Sequence, residues 1–192
     1  MEMLELFFGT LQPDTEHAKL KMMAGLFGRK ELSRGEILLQ QNKVCNEYCF
    51  VEEGVLRSFT TNYDGEEITT GIFSGGNVVC DLSSFFARKP AGENYMAVSD
   101  CVLRYINFEQ LQKAFHSMPE FRELGRAILV NEYAQLKQRM LSGLHLKAEE
   151  RYIQLLKNNP DVFKHVPLKQ VASYLGITDS SLSRIRREFV QK

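Results

Sequence analysis

The chain has 192 residues, a length that accommodates one large domain or two small ones. Its 24 Lys and Arg balance its 24 Asp and Glu, so the net charge by itself neither indicates nor excludes a nucleic-acid partner. The charges are unevenly distributed, because from Lys147 onward nine Lys and Arg face five Asp and Glu, whereas the preceding residues hold 15 against 19. A basic C-terminal segment on a mildly acidic body is typical of a DNA-contacting module attached to a separate domain.

The N-terminal residues do not have the pattern of an export signal, because Glu2 and Glu5 stand where a basic segment would be. No apolar run reaches the length needed to span a bilayer. We therefore expect a cytoplasmic protein with no membrane partner, and disulfides are not expected in that reducing compartment.

The four cysteines do not have the spacing of a ligand cluster. Cys45 and Cys49 are separated by three residues and have no third or fourth ligand close by, so we expect no metal and no cofactor. Cys80 and Cys101 lie in strand-like runs and are predicted to be buried as small hydrophobic groups. The sequence leaves open whether any of the four cysteines has a redox role.

Residues 1–29 are predicted to be helical. Apolar side chains recur at helical spacing on both sides of Pro13, and we interpret them as core residues. They are Leu4, Phe7, Phe8 and Leu11 before the proline, and Ala18, Met22, Leu26 and Phe27 after it.

From residue 30 to residue 106 the pattern changes to short strands separated by glycine-containing turns. The predicted strands are 37–39, 48–51, 55–61, 68–73, 95–98 and 102–106. Strands at this spacing predict an antiparallel sandwich or a barrel-like roll. An irregular stretch with a short helix at about 81–87 interrupts the strands, and such an interruption is a natural place for a ligand pocket.

The helical period returns after Ile106. Asn107 is a suitable cap for a first helix, and Pro119 begins a longer one that extends to about Gly143. One small roll cannot cover the apolar stripe of this long helix, so we expect a symmetric partner helix and therefore a homodimer. The alternative is that the stripe packs on its own domain. The stripe consists of Phe121, Leu124, Ile128, Leu129, Tyr133, Leu136 and Met140.

The stretch from 166 to 189 has the pattern of two short helices joined by a tight turn. Pro167 suits the first position of a helix, and Gly176 permits the left-handed backbone that ends it. Thr178 is a good N-cap for the second helix, and Ala172 is small where that helix must approach closely. This arrangement predicts a helix-turn-helix whose second helix enters the DNA major groove.

The second predicted helix carries hydroxyl and arginine side chains opposite its apolar stripe. Small hydroxyls allow close approach to DNA, and Arg184 is able to bind a guanine edge through two hydrogen bonds. The alternative is an ordinary helical hairpin with a solvated basic face. The predicted DNA-binding residues are Lys169, Thr178, Asp179, Ser180, Ser181, Ser183, Arg184 and Arg187.

The order of β-roll, long helix and helix-turn-helix, with the motif Gly176-Ile177-Thr178-x-x-Ser181-Leu182-Ser183-Arg184, resembles the cyclic-AMP receptor protein and fumarate–nitrate regulator (CRP/FNR) family of bacterial transcription factors. The resemblance implies an α+β protein. Its parts are an antiparallel, jelly-roll-like sensor domain at 1–118, a dimerisation helix at 119–143 and a helix-turn-helix domain at 144–192. It also implies a dimer on a two-fold symmetric stretch of double-stranded DNA, with a small-molecule or redox signal read by the roll. Whether RNA polymerase is a further partner stays open.

The family's cyclic-nucleotide cassette maps onto residues 76–82 and about 91–97, where the match is poor. The family's ribose-binding glutamate is replaced by Asp81, which is one methylene shorter. Its phosphate-clamping arginine has no counterpart, so a cyclic phosphate would lose its bidentate partner and could meet Glu93 instead. Arg88 is the nearest substitute. We expect no ordinary binding of cyclic AMP, and the roll holds another small molecule or none.

The candidate effector-binding residues of the roll are Asp81, Ser83, Ser84 and Tyr95. The cysteine cluster of the family's iron–sulfur branch is absent from the N-terminal part of this sequence, so that branch fits poorly.

Two other classes of protein remain as alternatives. Small β-rolls also occur in metal-dependent enzymes, but these need clustered histidines, and none of the four histidines falls between residues 30 and 106. We therefore predict no catalytic residues and no metal site. The second alternative is a ligand-binding or protein-interaction module without sequence-specific DNA binding, which a weak salt dependence of DNA binding would indicate.

Overall fold

The computed structural model describes residues 2–190. In chain order the elements are α1 (Met3–Leu11), α2 (His17–Ala24), β1 (Gly28–Leu32), β2 (Ile37–Leu39), β3 (Glu47–Glu53), β4 (Val55–Thr61), β5 (Glu67–Ser74), β6 (Val78–Val79), α3 (Leu82–Ala87), β7 (Asn94–Ala97), β8 (Cys101–Asn107), α4 (Phe108–Ser117), α5 (Pro119–His145), α6 (Ala148–Asn158), α7 (Val162–His165), α8 (Leu168–Leu175) and α9 (Asp179–Val190).

The strands form two antiparallel sheets of four strands each within the described residues. Their orders are β1-β8-β3-β6 and β2-β7-β4-β5. The tight turn between β3 and β4 requires Gly54, because its φ is +87° and an added Cβ would lie 2.2 Å from the carbonyl oxygen of Asp100. This arrangement confirms the predicted α+β class and the N-terminal β-roll.

The two sheets enclose one apolar core, and the helices on either side of the roll in sequence cover a second. Buried side chains from both sheets, among them Val51, Leu56 and Leu103, meet between them. On the other side of the roll, α1, α2, α4 and the start of α5 bury Phe8, Phe121 and their neighbours. The short predicted helix at 81–87 is present as α3, and the side chain of Asp81 caps it.

The end of the N-terminal segment, which was predicted to be helical up to residue 29, has a different structure. Helix α2 stops at Ala24, and residues 28–32 form an edge strand paired with β8. Of these residues only Leu32 is buried, so the segment has no strand-like apolar alternation of its own. The pairing with β8 is a long-range interaction that the local pattern does not reveal.

The long helix α5 begins at Pro119 as predicted and ends at His145. Its predicted apolar stripe divides into two parts. Phe121, Leu124 and Ile128 are buried against the roll, whereas the four stripe residues from Leu129 to Met140 are exposed. Among the described residues, no helix combines the length and hydropathy needed to cross a membrane.

The C-terminal helices α6 to α9 pack on the outer face of the β2-β7-β4-β5 sheet. Their apolar core is continuous with Val55, Ile72 and Val98 of the roll. Two hydrogen bonds support this contact: the Thr69 N–H donates to Ser173 Oγ at 2.9 Å, and Ser74 Oγ donates to Asn159 Oδ1 at 2.5 Å. The one-turn helix α7 within this group was not predicted from the sequence.

Candidate DNA-binding surface and effector cavity

The turn between α8 and α9 has the backbone that its sequence predicts. Gly176 adopts φ +66°, and its N–H donates to the carbonyl of Ser173 at 3.0 Å. The Ile177 N–H donates to the carbonyl of Ala172 at 3.0 Å, which ends α8 in a glycine-based cap. Pro167 lies one position earlier than predicted, at the N-cap position immediately before α8. The turn sets the direction of the second helix.

Helix α9 begins at a cluster of three hydroxyl groups. The Ser181 N–H donates to Thr178 Oγ1 at 3.2 Å, so Thr178 caps the helix as expected. Thr178 Oγ1 also lies 3.0 Å from Ser180 Oγ and 2.9 Å from Ser181 Oγ. This cluster and the free N–H groups of the first turn present donors and acceptors at the end of the helix.

The two faces of α9 differ in burial. Leu182 and Ile185 lie in the apolar core of the C-terminal helices. Seven of the eight predicted DNA-binding residues are exposed, and Ser181 is half-buried. Ser180, Ser183, Arg184 and Arg187 follow helical spacing and therefore share one face of α9. Lys169, Thr178, Asp179, Ser180, Ser183, Arg184 and Arg187 are the exposed members.

The arginines of this face have no acidic partner in the structure. Among residues 2–190, neither Arg184 nor Arg187 makes an ion pair. Their guanidinium groups are therefore available to an external anion, and guanidinium is well matched to phosphate and to the guanine edge.

Two supporting arginines were missed by the sequence reasoning. Arg151 donates to the carbonyl oxygens of Leu146 and Leu175, at 2.7 and 2.9 Å, and thereby fastens the end of α8 to the start of α6. Arg139 on α5 lies over the ring of Tyr174, 4.3 Å from its centroid. Both contacts join segments that are distant in sequence, so no local pattern indicated them.

The roll contains a cavity of about 320 Å³ between the β2–β3 connection and the β6–α3 segment. Two of the four candidate effector residues, Asp81 and Tyr95, line it. Ser83 is exposed, and Ser84 is buried beside the cavity rather than in its wall. The other lining residues are Lys30, Leu38, Leu39, Gln40, Lys43, Val44, Cys45, Asn46, Glu47, Val79 and Cys80.

The carboxylate of Asp81 and the hydroxyl of Ser84 already have structural partners. Asp81 accepts hydrogen bonds from the backbone N–H of Ser84 at 2.9 Å and of Gly92 at 3.2 Å. Ser84 Oγ accepts from the Cys45 N–H at 2.8 Å and donates to the Lys89 carbonyl at 2.5 Å. Binding of a sugar hydroxyl by Asp81 would compete with the bonds that hold α3.

Arg88 does not offer a guanidinium to this cavity. It donates to the carbonyl of Cys45 at 2.8 Å and to Asn46 Oδ1, and it stacks over Phe108 at 4.4 Å. Arg88 therefore does not replace the phosphate-binding arginine that this sequence lacks. The pKa of Tyr95 is raised, mainly by burial, so this cavity side chain stays a neutral phenol.

The two cysteines that are closest in the sequence, Cys45 and Cys49, are not the two whose sulfur atoms meet in the structure. Cys49 and Cys101 are buried between the sheets. The prediction that Cys80 is buried was wrong, since Cys80 follows the end of β6 at Val79 and is half-buried. The near neighbour of Cys45 is Cys80, whose sulfur lies 3.9 Å from that of Cys45. Within residues 2–190 no three His, Cys, Asp or Glu side chains converge as metal ligands.

Comparisons with known proteins agree with this architecture. Residues 29–118 match the family described as the cyclic nucleotide-binding domain. The transcriptional activator protein FnrA of Stutzerimonas stutzeri is 25% identical over 173 residues, which cover 84% of this chain and 70% of FnrA.

Two solved structures share the fold. FixK2 from Bradyrhizobium japonicum superposes with a TM-score of 0.72 at 18% identity, over 86% of this chain and 85% of FixK2. The catabolite activator protein of Thermus thermophilus superposes with a TM-score of 0.57 at 18% identity, over 94% of this chain and 86% of that protein. Residues 29–118 therefore match the cyclic nucleotide-binding domain family, and the chain as a whole is similar to regulators of the CRP/FNR type and shares the fold of these two structures.

Proposed function

We propose that this protein is a DNA-binding transcriptional regulator. The observation that carries the proposal is the division of α9 into a buried apolar stripe and an exposed face of hydroxyls and unpaired arginines. A helix held by its apolar side and offering this set of groups matches the requirements of the DNA major groove. The relative FnrA is named a transcriptional activator. The proposal places the protein in the cytoplasm with its DNA target and assigns it no catalysis.

We propose further that two copies associate through the exposed half of α5. Leu129, Tyr133, Leu136 and Met140 are separated alternately by four and three residues, which is the spacing of a two-helix seam. Tyr133 and Leu136 are 65% and 63% exposed, although side chains of this kind are normally covered. A symmetric pair of helices would cover them and would present two copies of α9 to the two halves of a symmetric operator.

The cavity supports a small-molecule effector other than cyclic AMP. Its wall carries lysine, carboxylate, amide, phenol and thiol groups, which suit a polar ligand. A cyclic phosphate would need a free guanidinium, but that of Arg88 is bound to the backbone. A ribose would need a free carboxylate, but that of Asp81 already accepts two backbone hydrogen bonds. The effector therefore differs from cyclic AMP in its anionic group or lacks one.

The function is tested by selecting genomic fragments with the purified protein and sequencing the fragments that it retains. We expect an enriched motif with two-fold symmetry and half-sites centred about 10 base pairs apart or a multiple of that spacing. The rival function is a ligand-binding or protein-interaction module. Retention without any enriched motif, or no retention of duplex DNA, would favour that rival.

A further inference from the structure

Two thiols from distant parts of the sequence meet in the wall of the effector cavity. Cys45 lies just before β3 and Cys80 just after β6, and both line the cavity. Their sulfur atoms are 3.9 Å apart, close to van der Waals contact, and they share a hydrogen bond. Cys45 Sγ also donates to the carbonyl of Glu47 at 3.3 Å, which fixes the direction of its side chain. The other two cysteines have no such neighbour within the described part of the chain.

The surroundings of the two sulfur atoms make Cys45 the more acidic member of the pair. The hydrogen bond from the Cys80 thiol is the main cause that lowers the pKa of Cys45. Burial raises the pKa of Cys80, and it also raises the pKa of Cys49 and Cys101. Because the thiolate is the reactive form of cysteine, these directions favour Cys45 over Cys80 as the nucleophile of the pair.

We propose that Cys45 and Cys80 form a reversible disulfide when a hydroperoxide enters the cavity. The Cys45 thiolate attacks one peroxide oxygen, an S–O bond forms, the O–O bond breaks, and the departing hydroxide takes up a proton to become water. Cys45 is then a sulfenic acid. The Cys80 sulfur attacks the Cys45 sulfur, the S–S bond forms, and the S–O bond breaks with loss of a second water. Two thiols are oxidised by two electrons, and one hydrogen peroxide is reduced to two waters.

The position of the pair links this chemistry to the shape of the cavity. A disulfide holds its sulfur atoms about 2.05 Å apart, so the two side chains must turn toward each other and leave their present positions in the wall. Cys80 directly precedes Asp81, whose carboxylate caps α3 and binds the Gly92 N–H. Cys45 is joined to the same helix through its N–H, which donates to Ser84 Oγ at 2.8 Å. Oxidation therefore moves groups that form the cavity wall, whichever effector occupies it.

The test uses the full-length protein in the Cys49→Ser background. This background is needed because Cys45 and Cys49 lie between the same two trypsin sites, Lys43 and Arg57, and therefore fall in one peptide. The reduced protein is treated with hydrogen peroxide, quenched with catalase, alkylated and digested without reductant. We expect a cross-linked pair of peptides 44–57 and 58–88 by mass spectrometry, its loss after dithiothreitol, and an alkylated Cys101.

Two single-residue variants separate the two roles. In Cys80→Ser we expect a sulfenic acid on Cys45 that dimedone captures. In Cys45→Ser we expect the oxidation of Cys80 to be at least roughly tenfold slower than that of Cys45 in the Cys49→Ser protein. Circular dichroism verifies that each variant is folded, and if one of the two fails to fold, the Cys49→Ser protein alone still tests the cross-link. In the Cys49→Ser protein, a cross-link to Cys101, a cross-link only between two molecules, or three unoxidised thiols would overturn the proposal.

Discussion

Gly176, through its backbone N–H, and Thr178, through its side-chain oxygen, direct the helix-turn-helix by hydrogen bonds that involve only neighbouring residues. Their roles could be predicted from the sequence because a left-handed cap and an N-cap are local requirements. The exposed face of α9 could be predicted for the same reason, since burial of Leu182 and Ile185 leaves the opposite side free. Arg151 could not be predicted, because its acceptor on Leu175 lies 24 residues away.

Arg184 is the residue for which base recognition is predicted. Replacing Arg184 with Ala should weaken binding to the selected operator by about 1–3 kcal/mol and relax the base preference at one position of each half-site. The measurement is fluorescence anisotropy on the operator and on variants of it. Lys113→Ala is the control, because Lys113 is an exposed cation of α4 in the roll. Equal affinity and equal preference in Arg184→Ala and the parent would contradict the assigned role.

The cavity residues lead to a prediction about cyclic AMP. Because Arg88 is bound to backbone and to Asn46, and Asp81 holds α3, millimolar cyclic AMP should produce neither heat in titration calorimetry nor a shift in melting temperature. Loss of a bidentate guanidinium removes the strongest contact available to a phosphate. Saturable heat at micromolar cyclic AMP would show that another group supplies this contact.

At the scale of single elements, α5 is the helix whose two halves have different surroundings. Its first half belongs to the core of the roll, and its second half exposes an apolar seam. The sequence predicted one continuous stripe with a partner helix, and the alternative was packing on its own domain. The structure shows that packing for the first three side chains only. A helical period reveals which face is apolar but not where along the helix the covering surface ends.

The seam leads to a prediction about assembly. Leu136→Lys should convert a dimer into a monomer, because two copies of the charge would be buried against each other at a two-fold contact. Gln135→Lys, one position away and also exposed, should leave the dimer intact. Sedimentation velocity measures both. A parent chain that sediments as a monomer, or equal dimerisation of the two variants, would contradict the assignment of the seam.

At the scale of the whole molecule, the C-terminal helices share an apolar core with the outer face of a roll sheet. The sequence predicted a roll and a helix-turn-helix as separate parts, and nothing in either pattern indicated that they would touch. Contacts between Val55 or Ile72 and α6 to α8 arise from the path of the chain through α5. The edge strand β1 and the pairing of Cys45 with Cys80 were missed for the same reason, since all three depend on residues far apart in sequence.

This shared core predicts cooperative unfolding. In differential scanning calorimetry the parent should melt in a single transition, because the two parts stabilise each other through buried contacts. Ile72→Asp places a carboxylate in that contact and should separate the transition into two. Ile68→Asp, on the same strand and 39% exposed, is the matched control and should keep one transition. Two transitions in the parent would show that the parts unfold independently.

The regulator assignment is tested most directly by the salt dependence of operator binding. We expect Lys169 and Arg187 of both members of a dimer to contact phosphates, and these four contacts correspond to a slope of about −3.6 in a plot of log association constant against log salt concentration. We predict nanomolar to micromolar binding at low ionic strength that falls with this slope. Absence of binding to any duplex at low ionic strength, or binding that salt does not affect, would contradict the account.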